Sequence, residues 1–319
     1  MIVVVSYEGE DHSDAVCACL QRAGRELLRI DLADFPVRNR IALRWRDGAA
    51  PQYLLEIAGR EVDLAAARVV WWRRVRGFDV DPAILRGQHR AFASSETGQA
   101  VHGMLDALGC AWMNPRLADE AAHHKPLQWT LAQQVGLQVP ATLVTTRAEE
   151  AQRFVAEQGL GQVVFKAFLA SIEEWRETRL VTAEDLGRLD LLRLAPVIFQ
   201  RYIPGVDLRI TIVGRRLFTT EIDARHTSYP VDMRMVVGEG RAAAAQLPAD
   251  IEAKLLALQD RLGLRYGAVD MRRTDDGQYL FLEVNPAGQW LFAERLSGLP
   301  ITQAVADHLC ELDGPAAGP

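Results

Sequence analysis

The stretch "YLFLEVNPAGQW", residues 279–290, ends an apolar run with Glu283 and Asn285, and Pro286 then stops strand pairing. Upstream lies "YGAVDMRRTDDGQ", whose Asp-Gly pair is a strong hairpin signal. With Asp276 and Gly277 as the two turn residues, Asp275 pairs with Gln278 and Asp270 falls opposite Glu283. Val269 then meets Val284 and Met271 meets Leu282, so one face is apolar while the other joins two carboxylates. Directly opposed like charges destabilise a sheet, so something positive is expected between them. Asp270, Glu283 and Asn285 form a donor set of hard oxygens without His or Cys, which suits Mg²⁺. The bland alternative is a solvated hairpin tip. The buried character of the strand and Pro286 weigh against it.

A second signal is compositional. Among 36 basic residues the only lysines are Lys125, Lys166 and Lys254. Where arginine serves for nearly every positive charge, a retained lysine marks a place for a compact ammonium, as at a phosphate. Lys125 stands before Pro126, and Lys166 lies in the alternating run "QVVFKAF". Taken singly, each reads as an ordinary loop or snorkelling lysine. With the acid pair, they fit a nucleotide whose phosphates need cationic partners.

The elements that must position these residues are legible in outline. Residues 1–115 alternate apolar runs ("IVVVS", "ELLRIDL", "ARVVWWRRV", "CAWMN") with amphipathic helices, and "IALRWR" and "YLLEIAG" read as a hairpin pair, giving an open α/β sheet. "NPRLADEAAHH" reads as a helix, Lys125 before Pro126 as its break, and "PLQWTLAQQVG" as the helix resumed. From residue 162 the character turns to strands. In "DLRITIV", Leu208, Ile210 and Ile212 share one face and Asp207, Arg209 and Thr211 the other. The expected division is 1–115, 116–198 and 199–312, with a frayed tail over 313–319.

Bulk properties exclude several classes. The chain has 319 residues, net charge −6 and no broad basic footprint for nucleic acid. "WWRRVRG" (71–77) reads as a buried strand with an arginine-lined rim, not a stacking patch for bases. No run approaches a membrane span, and no signal peptide is visible. The four cysteines (17, 19, 110 and 310) show no metal or disulfide spacing, as in a reduced cytosolic protein. No Ser-His-Asp or Cys-His set is recognisable. His123 and His124, beside Lys125, read as surface helix positions, and His226 in "RHTSYP" carries little weight.

The order of parts resembles an ATP-grasp ligase: a lysine before a helix, a lysine on a strand, a "QRYI" hinge, then D…E-x-N around a hairpin. "WWRRV" (71–75), "NPRLADEAAHHKPLQ" (114–128), "IPGVDLRITIVG" (203–214), "DMR" (232–234) and "VNPAGQWLF" (284–292) narrow the resemblance to the graspetide, microviridin-type or MvdD-like, peptide maturases. It implies an N-terminal pre-ATP-grasp α/β domain, a small central domain and a C-terminal α+β domain. The implied activity is acyl-phosphate formation on Asp/Glu side chains of a ribosomal precursor peptide with a leader, followed by ester or amide macrocyclisation. The implied partners also include a second copy, as a homodimer. Carried over residue by residue, Lys125 and Lys166 touch ATP phosphates, Gln200, Arg201, Tyr202 and Ile203 form the adenine hinge, and Asp207 holds the ribose. Arg209 faces the γ-phosphate and acyl phosphate, and Asp270, Glu283 and Asn285 hold two Mg²⁺ ions.

Departures from the pattern are Arg201, where related hinges often carry an acid, and Pro126. "FLASIEEWRETRLV" (168–181), at the place of the phosphate-covering segment, lacks glycine and clusters Glu173, Glu174 and Glu177. Two alternatives stay open at this point. One is a ligase joining an amino acid or small amine to a peptide or protein carboxylate; the other is a nucleotide- or peptide-binding module without turnover.

Overall fold

A computed structural model describes residues 1–168, 178–229, 231 and 239–315. Glu173, Glu174 and Glu177 of the covering segment, and Asp232 to Arg234, lie outside the described residues.

The chain opens with β1 (Ile2–Val5), α1 (Asp11–Arg22) and β2 (Leu27–Ile30), followed by three antiparallel strands, β3 (Arg40–Arg44), β4 (Gln52–Ile57) and β5 (Arg60–Asp63). Then come β6 (Val69–Trp72), α2 (Gly87–Asp106) and β7 (Ala111–Met113). The order β2-β1-β6-β7 is parallel throughout. Strands β1 ("IVVV") and β6 ("VVWW") are buried along their whole length, as parallel strands covered on both faces must be. Helix α1 starts where the Glu10 carboxylate accepts the Ser13 N–H at 2.7 Å, which satisfies one of its orphan donors.

Next are α3 (Arg116–Ala122), α4 (Lys125–Gln134), β8 (Thr142–Thr145), α5 (Ala148–Gln158), β9 (Val163–Lys166), β10 (Arg179–Leu180), α6 (Ala183–Leu186) and β11 (Val197–Arg201). The helix break lies one step earlier than the sequence suggests. His124 is the extended N-cap (ψ 96), and Lys125 is already the first residue of α4. Pro126 is tolerated because the first helical turn has no partner for its missing N–H. Strands in the order β10-β9-β11-β8 pair antiparallel and share a core of their own, with Val155, Val163, Leu192 and Phe199.

The last unit contains β12 (Val206–Val213), β13 (Arg216–Asp223), β14 (Arg241–Ala245), α7 (Ala249–Leu262), β15 (Tyr266–Arg273), β16 (Tyr279–Asn285), α8 (Leu291–Ser297) and α9 (Ile301–Asp313). The sheet runs β14-β13-β12-β15-β16. Leu208, Ile210 and Ile212 face α4 and α7 in the largest core, leaving Asp207 and Arg209 on the other side, as the alternation predicts. Helix α9 packs against α1. Its Ile301, Val305 and Leu309 join Ile2, Val4, Val16 and Leu20 in one core, so the first and last sheets are bound together.

The β15–β16 register is right where it matters and wrong nearer the turn. Asp270 faces Glu283 and Val269 faces Val284, but Met271 faces Phe281 instead of Leu282. The loop holds three residues, so Asp275 does not pair with Gln278. Instead Thr274 N–H donates to Gln278 O at 3.0 Å, Gly277 N–H donates to Thr274 O at 3.0 Å, and Gly277 takes a left-handed φ of 84°. A bulge at Leu282, between the Asp270 and Met271 pairs, then restores the expected alignment. Two one-residue offsets cancel before the carboxylates are reached.

Candidate active site

The β9–β11 sheet and the β12–β15–β16 sheet enclose a cleft of about 460 Å³, and every site residue expected from the sequence lines it. At one end lie Lys125, Arg209, Asp270, Glu283 and Asn285; at the other lie Lys166, Asp207 and the segment Gln200 to Ile203.

At the first end charge runs in a row across three strands. Arg209 on β12 is the direct cross-strand partner of Asp270 on β15, which in turn faces Glu283 on β16. Arg209 Nη1 donates to both Asp270 oxygens, at 2.8 and 2.9 Å, and its Nη2 donates to Gln289 O at 2.8 Å. Lys125 Nζ reaches from the start of α4 to Glu283 Oε2. The acid pair is therefore bracketed by two cations, which offsets its repulsion. Arg209 is only 7% exposed. Burial opposes its charge, but Asp270, helped by Tyr266 and Glu283, raises its pKa above the ordinary arginine value. Breaking such a buried pair on one side costs about 3–5 kcal/mol, because the other charge is left bare.

At the other end Lys166 Nζ donates to Gln200 Oε1 at 2.9 Å, and Gln200 Nε2 donates to Thr142 Oγ1 at 2.8 Å. The N–H groups of Arg201 and Tyr202 are spent on Ala141 O and Gln162 O, each at 2.8 Å. The Arg201 side chain is exposed. Asp207 is gripped by Arg272, whose Nε and Nη2 donate at 2.8 and 3.1 Å, while Arg272 Nη1 donates to Ile203 O at 2.8 Å. The guanidinium also lies over the Tyr202 ring, at 5.3 Å. Arg272 thus ties the hinge to the sheet.

The donor chemistry of Asp270, Glu283 and Asn285 fits a hard cation. Among the described residues no group of three or more His, Cys, Asp or Glu could hold a metal ion. The site supplies two carboxylates and an amide, leaving the other positions to water and phosphate oxygens, which is how Mg²⁺ is usually bound.

Comparison with known proteins identifies the family. Residues 1–120 match the family model described as the MvdD pre-ATP grasp domain. The macrocyclase MdnC of Microcystis aeruginosa MRC, solved bound to precursor peptide MdnA, is 31% identical, with a TM-score of 0.84 over 97% of this chain and 98% of its own. The chain belongs to the graspetide-type ATP-grasp ligases. A RiPP-associated ATP-grasp ligase of Chryseobacterium gregarium, in complex with ADP and a leader and core peptide, is 26% identical at TM-score 0.85, covering 98% of this chain and 97% of that one. The ligase PsnB, complexed with minimal precursor, Mg and ADP, shares the fold at 24% identity and TM-score 0.80, covering 98% and 97%. No curated protein matches the chain.

Several residues that shape this graspetide-type site were not singled out from the sequence. Gln128, one helical turn after Lys125, acts as a substitute strand. Its Nε2 donates to Val284 O at 2.8 Å and its Oε1 accepts the Val284 N–H at 2.9 Å. With the Trp129 indole on Leu282 O at 2.9 Å, it closes the open edge of β16. The i, i+3 spacing from Lys125 is the one sequence signal for this. Asn114 is buried and makes four hydrogen bonds, to Tyr266 O, Pro286 O, Arg265 N and Tyr266 N, between 2.7 and 3.1 Å. Arg73, expected at a rim, is instead 2% exposed. It donates to Ala287 O at 2.6 Å and Gly288 O at 3.1 Å, lies 3.6 Å from Glu10 and sits 4.7 Å over the Trp290 ring. The "NPAGQW" loop is thereby held from the first sheet.

Proposed function

We propose that this chain activates Asp or Glu side chains of a ribosomal precursor peptide as acyl phosphates and closes them onto Ser, Thr or Lys side chains as macrocyclic esters or amides. The observation that carries it is the row Arg209, Asp270, Glu283, Lys125 at one end of a cleft whose other end presents Lys166 and the segment that leaves β11. The solved relatives add support, since MdnC is bound to its precursor peptide and PsnB to precursor, Mg and ADP.

In this reading residues 200–203 and Asp207 hold adenosine, Lys125 and Lys166 take the phosphates, and Asp270, Glu283 and Asn285 hold two Mg²⁺ ions. The metal, when bound, supplies neutralisation of the β/γ oxygens. Arg209 is preorganised beside the transferring phosphoryl group, since its guanidinium is already fixed by Asp270 and Gln289 O and needs no reorganisation during reaction. The peptide carboxylate attacks the γ-phosphorus, ADP leaves, and the acceptor displaces phosphate from the acyl carbon. The assignments 1–115, 116–198 and 199–312 for the three units belong to the same reading, as does pairing of two copies.

The test is mass spectrometry of leader-plus-core peptides incubated with the chain, Mg²⁺ and ATP. Loss of one water mass per crosslink with matching ADP is the expected result. A mass gain from an added amine would replace the reading by the amino-acid ligase, and the absence of ADP with every peptide would replace it by a binding module.

A further inference from the structure

Resting on the ligase reading, a second question is what removes the proton from the acceptor. The carboxylates lining the cleft are committed: Asp207 to Arg272, Asp270 to Arg209 and Glu283 to Lys125. Among the described residues His123 is the histidine that lines this cleft. It also lines a second cleft, of about 810 Å³, walled by Trp72, Val75 and Phe78. It sits at the C-cap of α3, two residues before Lys125, and so at the end of the cleft where Glu283 lies.

The ring's tautomer follows from its contacts. His123 Nδ1 is 2.7 Å from the main-chain oxygen of Asp119, and a carbonyl oxygen only accepts, so Nδ1 carries the hydrogen. The neutral ring therefore keeps its lone pair on Nε2. The Asp119 carboxylate, one helical turn back, lies 3.6 Å from the same Nδ1, placed to stabilise an imidazolium. Asp119 is 4% exposed, and its Oδ2 finds no partner among the described residues. Burial pushes the Asp119 carboxyl up to about 6, with His123, Asn114 and Arg73 acting against the rise. A buried acid is costly unless a partner offsets it, and the half-open ring of His123 stands beside this one.

We propose that His123 is the general base of the ligation step, with Asp119 as its positioning residue. The acceptor oxygen or nitrogen forms its bond to the acyl carbon while His123 Nε2 takes the acceptor proton. The carbon–oxygen bond to phosphate then breaks, inorganic phosphate leaves with that electron pair, and the imidazolium returns its proton to solvent. The second cleft, which shares His123 with the first, gives the acceptor its approach in this proposal.

The test uses leader-plus-core peptides, with hydroxylamine as a nucleophile that needs no base. In His123→Ala, crosslinking is expected to fall about a hundredfold, while hydroxamate from trapped acyl phosphate stays within about twofold. Added imidazole is expected to restore part of the crosslinking. Asp119→Asn is expected to slow crosslinking about tenfold, again with hydroxamate unaltered. Crosslinking by His123→Ala at the unaltered rate overturns the proposal. So does a parallel loss of hydroxamate, which would place His123 in nucleotide binding or folding. Failure of the ligase reading itself appears differently, as neither ADP nor hydroxamate from the unaltered chain.

Discussion

At the scale of single residues, Arg209 is paired with Asp270, Lys125 with Glu283 and Arg272 with Asp207 before any ligand arrives. Arg209 is held by two oxygens of Asp270 and by a main-chain carbonyl, a planar three-point arrangement that an ammonium cannot reproduce. Arg209→Lys is therefore expected to lower the rate of ADP formation about 10²–10³-fold, with a smaller change in KM for ATP, as steady-state kinetics would show. Glu283→Gln keeps the shape but removes the charge that pairs with Lys125 and that the proposed reading gives to the metal. ADP formation is expected to fall below about one part in a hundred, and a titration calorimeter should record a weaker dependence of nucleotide binding on Mg²⁺. Retained peptide processing by Glu283→Gln would show that the metal is held elsewhere.

At the scale of elements, the loop after β16 is where small changes are felt. A Cβ added at Gly288 would lie 2.3 Å from Ala268 Cβ and 3.1 Å from Arg209 Nη2, so β15 and the loop must part. Gly288→Ala is expected to destabilise the chain by about 1–3 kcal/mol in urea unfolding, and to slow turnover by moving Arg209. This hairpin also shows what was legible in the sequence. Alternation and the apolar face opposed Asp270 to Glu283, but the two-residue Asp-Gly turn that set the register is not the turn the chain makes, and the bulge at Leu282 offsets that error. The three-residue turn and the bulge were not legible, since each depends on hydrogen bonds that local residue types do not announce. Gln128 escaped for a related reason: its role needs the unpaired edge of a strand more than 150 residues away. The resemblance to a known family named the cleft's residues. It did not show that Lys125 begins a helix, which Pro126 permits only at that position.

At the scale of the whole molecule, buried charge joins the first sheet to the site. Arg73 and Glu10 pair at 1% and 5% side-chain exposure, and Arg73 also holds Ala287 O and Gly288 O. Its burial was invisible in "WWRRV" because the partners lie on α1's N-terminus and a loop far along the chain. Arg73→Met is expected to cost about 3–5 kcal/mol, measured by chemical denaturation. Beside it, His12 stacks edge-on against Trp290 at 4.4 Å, and burial, then Arg73, Arg74 and Arg209, lowers its pKa from 6.5 to about 3. Between about pH 6.5 and 3 the unfolded chain takes up a proton there that the folded chain refuses. Stability from this source is thus complete above pH 6.5 and is lost as pH falls towards 3. His12→Leu should flatten that part of a stability–pH curve while leaving the curve above pH 7 parallel to the original.

The shared core of β1, β6, α1 and α9 has a mechanical corollary. Sliding the first sheet against the last would pull apart Ile2, Val4, Ile301 and Leu309, all fully buried, so the shared core ties these two units together. The β8–β11 sheet keeps a separate core and meets the larger one through Ile198. Any displacement of that sheet relative to the larger core would carry Lys166 on β9 and Gln200 on β11 with it. Arg209, Asp270 and Glu283, joined across neighbouring strands of one sheet, would keep their mutual spacing.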